Sequence, residues 1–127
     1  MTLPVDCLRW AEKVRFDPKR LDELCIEMGD EGAERVIANA LEQIAKTMEQ
    51  IEVLMRQGDI DAIGRTCKSL SRIAGHIGMT TFACVARDVR YCAEARDHAG
   101  LAATYGRLSR ISDHSVHAIW SLEDISG

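Results

Sequence analysis

Four side chains in the stretch Thr66 to Met79, TCKSLSRIAGHIGM, carry the chemistry of a reactive centre. Lys68 and Arg72 bring fixed positive charge, Ser71 a hydroxyl, and His76 an imidazole whose neutral nitrogen is a nucleophile or general base. Elsewhere, DHSVH places His114 and His117 three apart, a spacing that chelates a metal from one helical turn. No carboxylate-rich ExxH partner completes such a site, so neither a metal nor another cofactor is expected. The five cysteines, Cys7, Cys25, Cys67, Cys84 and Cys92, contain no CxxC pair. Cys67, Cys84 and Cys92 read as small core residues with reduced thiols. No nucleotide-binding glycine loop, nucleophile elbow or paired acid motif is present, and no catalytic residue is expected.

The chain that must position these groups has 127 residues, the size of one domain with a real core. Hydrophobic residues make up 46% and aromatic ones 5%, and the only prolines are Pro4 and Pro18. That mixture favours an all-helical protein packed by aliphatic side chains. No basic start followed by an apolar run opens the sequence, so a cytoplasmic protein without a membrane span is expected. The net charge of −4 is unevenly distributed. Residues 1–57 hold 8 Lys/Arg against 12 Asp/Glu, whereas residues 58–98 hold 6 against 5. This local basic bias is too weak for a nucleic-acid groove but suits a small acidic protein surface.

Glycine, proline and capping residues divide the chain into helices. Asp17-Pro18 offers a cap and a first helical residue, and Gly29 a stop, with Leu21, Leu24, Cys25 and Met28 sharing a face between them. After GDEG, apolar residues recur in steps of three and four from Val36 through Ala40, Ile44 and Ile51 to Met55, predicting a long amphipathic helix over 31–57. Gly58 ends it and Asp59 caps a helix over 59–77. Further helices are predicted over 80–97, with Phe82, Val85, Ala86, Val89 and Ala93 inward, and over 100–123, with Leu101, Tyr105, Leu108, Ile111, Ile119 and Leu122 on one side. A shorter N-terminal helix carries Val5, Leu8, Ala11 and Val14. Short joints make neighbours antiparallel, giving an up-down four-helix bundle with short additional N-terminal helices, a single domain over 1–127.

At 100° per residue, Ile60, Ile63, Cys67, Leu70, Ala74 and Ile77 form one stripe of the 59–77 helix. Asp61, Arg65, Lys68, Arg72 and His76 fall roughly 80° to 160° round from Ile60, on the opposite side. Most polar groups of TCKSLSRIAGHIGM are therefore solvated together as a mainly basic stripe. Ser71 lies at the edge of the apolar arc, where its hydroxyl can bond back to a carbonyl one turn earlier. Gly75 costs the helix about 1 kcal/mol relative to alanine and either permits close approach or is a tolerated surface glycine.

On this helix and its neighbour the sequence resembles a histidine phosphotransfer (HPt) domain, the helical bundle that relays phosphoryl groups to and from receiver domains in two-component signalling. The resemblance runs from about Asp17 to Leu122. It rests on Gly58-Asp59 before the helix, on Leu70, Ala74 and Gly78 within and after it, and on Phe82, Ala86 and Val89 in the next. The reactive positions depart from the family pattern. Lys68 stands where the family has its phosphorylated histidine, Ser71 where it has a phosphate-steadying lysine, and Arg72 where it has a small glycine. A lysine ammonium has no lone pair to attack phosphorus, so the resemblance is to a degenerate member that keeps the bundle and lacks the donor.

The resemblance implies a partner, a response-regulator receiver domain or a sensor kinase, and no nucleic acid or membrane. Receiver domains present an acidic pocket around their phosphate-accepting aspartate. Arg65, Lys68, Ser71, Arg72, Gly75 and His76, with Arg87 and Arg90 from the neighbouring helix, form the expected partner-binding surface of a monomer that binds a receiver without transferring phosphate. Two other functions compete: an active relay through a non-standard residue such as His76, about two turns and roughly 12 Å along the axis from Lys68, and a helical assembly module unrelated to signalling.

Overall fold

The computed structural model describes residues 16–126, with side chains described for residues 16–113. Among the described residues the protein is all-helical. There are four helices: α1 (Pro18–Gln57), α2 (Ile60–His76), α3 (Thr80–Glu94) and α4 (His98–Ser126). The segment holding Val5, Leu8, Ala11 and Val14 lies outside the described residues.

The capping signals act where the sequence places them. The Asp17 carboxylate accepts the Lys19 N–H at 3.1 Å and Pro18 fills the first helical position. Gly58 ends α1 in the left-handed region (φ 71°), and the Asp59 carboxylate accepts the Ala62 N–H at 3.2 Å to start α2. The Asp97 carboxylate accepts the Gly100 N–H at 3.0 Å at the start of α4, a cap at the residue where the sequence ends the preceding helix.

The expected stop at Gly29 is present, as a kink between two helical stretches and not as a longer loop. Gly29 alone leaves the helical region (φ 76°, ψ 166°), and the helix resumes at once, so α1 is one kinked element of 40 residues. A single glycine absorbs the change of direction, which leaves no unpaired stretch of backbone to form a loop. Met28, expected inward with Leu21 and Leu24, stands next to the kink and is 49% exposed, whereas Ala33 beyond it is buried.

The core sits where the helices share their apolar faces. Ile63, Cys67, Leu70 and Ala74 of α2 are buried against Phe82, Val85, Ala86, Val89 and Ala93 of α3, with Ile44 and Ile51 of α1 and Leu101 and Leu108 of α4 in the same cluster. Each large aliphatic or aromatic side chain so buried contributes about 1.5–3 kcal/mol. The side chains of Ile119 and Leu122 lie outside the described set. α2 packs on α3, α3 on α4, and α1 on α2 and more sparsely on α4. A methyl group at Gly64, near the start of α2, would stand 3.9 Å from Ala93 Cβ, near the end of α3.

The α2–α3 joint is closed by the chain that precedes α1. The Asp17 N–H donates to the Gly78 carbonyl at 2.7 Å, and Phe16 forms an isolated bridge with Met79. Gly78 has φ 81°, and a Cβ there would lie 3.3 Å from the Asp17 carbonyl and 3.2 Å from Arg20 Cβ. Only glycine meets both requirements without strain. No helix among the described residues is long and apolar enough to cross a membrane.

Candidate interaction site on the second helix

α2 alternates between the core and a charged face. Cys67, Leu70 and Ala74 are buried, while Arg65, Lys68, Arg72, Gly75 and His76 are exposed. The Cys67 thiol, pushed up to about 12 by burial, stays protonated and has no nucleophilic role. One residue further along, Lys68 stands in solvent. Ser71 is half-buried, and its hydroxyl donates to the Lys68 carbonyl at 2.8 Å, the back-bond expected for a serine at the edge of the apolar arc. A Cβ on Gly75 would meet nothing within 4 Å, so no described part of this chain approaches it.

Between the start of α2 and the end of α3 runs an open groove of about 290 Å³. Ile60, Gly64 and Ala93 form its apolar floor; Arg65, Lys68 and Arg90 stand on its walls with Asp61 and Glu94. The two carboxylates are occupied. Arg90 Nε donates to Glu94 at 2.8 Å, and Arg96, from the turn after α3, donates to Asp61 at 2.7 Å. Arg65, Lys68 and Arg72 make no ion pair among the described residues. Three lining cations against two engaged carboxylates leave the groove positive in an acidic protein.

Arg87, grouped with Arg90 on sequence grounds, does not line this groove. Its guanidinium folds back on α3, donating from Nε to the Ala83 carbonyl and from Nη2 to Cys84 Sγ, each at 3.4 Å. Cys84 itself is exposed, against its reading as a core residue, and Cys92 is half-buried. At 100° per residue Cys84 lies opposite the buried stripe of Phe82, Ala86, Val89 and Ala93, so the helical period itself turns it to solvent.

His76 ends α2. Arg20 of α1 reaches it twice: Nε donates to the His76 carbonyl at 2.8 Å and Nη2 contacts the ring Nδ1 at 3.3 Å. A guanidinium at a helix C-terminus meets unpaired carbonyls and the negative end of the dipole. Neither Arg20 nor Arg96 was legible as a site residue, since each acts across 56 or 35 positions of sequence with no motif to mark the pairing. Among the described residues no three His, Cys, Asp or Glu side chains come together to hold a metal ion, and the side chains of His114 and His117 lie outside that set.

Compared with known proteins, the chain matches no family model, no curated protein and no solved structure.

Proposed function

We propose that this protein is an HPt-like module that binds a response-regulator receiver domain in the cytoplasm without transferring phosphate. On this reading residues 1–127 form one domain, an antiparallel up-down four-helix bundle, and the protein is a monomer and not an enzyme. The observation that carries it is the state of Lys68. This ammonium occupies the position where the resemblance expects the phosphorylated histidine, is exposed, and has no ion pair among the described residues. Arg65 and Arg72 flank it on the same face, equally unpaired, and Arg90 faces it across the groove. Such a surface complements the acidic pocket of a receiver and sets on-rate and specificity more than raw affinity.

The apolar floor of the groove supports the same reading, because a partner covering Ile60, Gly64 and Ala93 gains burial while the rim selects its charge. The relay alternative through His76 is disfavoured by the Arg20 contact, which engages the ring nitrogen. Exposed Ile26 and Met28 favour one other reading, an assembly module, which a stable oligomer with no affinity for any receiver would select.

The test is a binding measurement against receiver domains encoded in the same genome. Wild type binds at least one of them, and the association rate falls as salt rises. Lys68→Glu weakens that complex by about tenfold or more, the equivalent of roughly 1.4 kcal/mol. Equal failure of wild type and variant against every receiver rejects the proposal.

A further inference from the structure

The exposed stripe of α2 has one member whose hydrogen-bonding sense is not fixed by its type. Arg65, Lys68 and Arg72 carry donors only, whereas a neutral imidazole presents one donor and one acceptor, and which nitrogen faces outward depends on what holds the other. Arg20 settles this. Its guanidinium has no acceptor, so the nitrogen 3.3 Å from Nη2, the His76 Nδ1, must supply a lone pair. The ring proton then resides on Nε2.

The guanidinium is itself held on three sides. Nε donates to the His76 carbonyl at 2.8 Å, Nη1 pairs with Glu23 at 3.1 Å, and Nη2 meets the His76 ring at 3.3 Å. These contacts make it a clamp on the end of α2.

We infer that Arg20 is a positioning residue that fixes His76 as its Nε2–H tautomer, so that the exposed face of α2 presents hydrogen-bond donors and fits an acidic, acceptor-bearing protein surface. The charge pattern agrees. Asp61, the one carboxylate on α2 beyond its cap, is turned to Arg96 at 2.7 Å, and the Ser71 hydroxyl donates inward to the Lys68 carbonyl. From Arg65 to His76 the face thus offers Arg, Lys, Arg and an imidazole N–H at successive turns. A partner with a row of carboxylates satisfies all four; one presenting lysines or amide N–H groups leaves them unpaired. The same tautomer leaves Nε2 without an in-plane lone pair, which removes that nitrogen as a nucleophile. The inference rests on the receiver reading only for the identity of the partner.

Long-range 1H–15N correlation spectra of the 15N-labelled full chain, recorded at about pH 8.5, above the reference imidazole value of about 6.5, test the clamp. Wild-type His76 shows the Nε2–H pattern, and Arg20→Ala shows an averaged one while the other amides keep their dispersion. An Nδ1–H or averaged pattern in wild type overturns the inference whether or not the variant folds. Titration with poly-L-glutamate tests the surface. The amides of Arg65, Lys68, Arg72 and His76 shift saturably, poly-L-lysine leaves them unmoved, and the double variant Lys68→Glu/Arg72→Glu loses at least about tenfold in affinity, a change of roughly 1.4 kcal/mol. Unmoved α2 amides with poly-L-glutamate, or equal binding by the double variant, overturn it. Poly-L-glutamate binding without receiver binding keeps this inference and rejects the receiver; receiver binding with an Nδ1–H His76 does the reverse.

Discussion

At its C-terminal end α2 is fastened by a buried joint, and at its N-terminal end an exposed ion pair is added to buried packing. Where α2 turns into α3, Asp17 donates to the Gly78 carbonyl at 2.7 Å, Met79 and Ile77 are fully buried, and Phe16 pairs with Met79 across the joint. Where α2 begins, Ile63 and Gly64 are buried near Ala93 of α3, and the ion pair between Arg96 and Asp61, with side chains 55% and 69% exposed, is added outside them. The first kind of fastening excludes water, so its hydrogen bonds keep much of their strength and its apolar contacts add to them. The second is screened, and exposed pairs of this kind contribute about 0–1 kcal/mol. At the end that carries the groove the ion pair therefore adds little to what the buried Ile63 and Gly64 already hold. A docking surface can be rebuilt there at little cost in stability, whereas the joint admits few changes.

The largest expected effect breaks the joint. Met79→Ala removes a side chain that is 0% exposed and leaves a cavity between α1 and α3, with an expected loss of about 2–5 kcal/mol in thermal or urea unfolding. Gly78→Ala comes next, at about 1–3 kcal/mol. The left-handed φ of 81° strains any L side chain, and the new Cβ pushes against the Asp17 carbonyl 3.3 Å away. The same variant shifts Arg20, so the tautomer signature of His76 should change with it. A loss below about 0.5 kcal/mol for either would show that the joint is no better fastened than the open end.

The sequence was legible where the signal is local. The apolar stripe of α2, its cap at Asp59 and the outward set of Arg65, Lys68, Arg72 and His76 follow from a 3.6-residue period and from capping chemistry, which depend on neighbours within a turn or two. Gly29 and Gly78 were readable as breaks, though not as a kink within one helix and a contact with Asp17. Period alone could not supply the partners of the polar groups. The pairing of Arg20 with His76, and of Arg96 with Asp61, depends on which helix ends meet, and an arginine in the first turn of α1 looks like any other solvated cation. Met28 stands beside Gly29, where the chain leaves the helical region, whereas Cys84 lies opposite the stripe of Phe82, Ala86 and Val89, where the period alone turns it outward.

The smallest effect sharpens the comparison most, because two opposing terms separate at Arg96. This residue sits at φ 57° after α3, where the Asp97 N–H closes back on the Cys92 carbonyl at 3.0 Å, a helix end that usually carries glycine. Arg96→Ala keeps the left-handed conformation, loses the ion pair and should cost at most about 1 kcal/mol, a difference that shrinks in high salt. Arg96→Gly loses the same pair but removes the backbone strain, about 1 kcal/mol, and should unfold at or slightly above the wild-type temperature. In both variants Asp61 is released and lies one turn from Arg65, the i,i+4 spacing at which carboxylate and guanidinium pair on a helix for about 0.2–0.5 kcal/mol. Arg65 is then drawn from the partner surface, and receiver binding should fall roughly twofold in both variants alike. A stability gap between alanine and glycine together with equal loss of binding would assign Arg96 its part: it holds the acidic residue of α2 away from the cations and contributes little to the fold. A loss of several kcal/mol in Arg96→Gly would show instead that the open end of α2 is fastened as firmly as the joint.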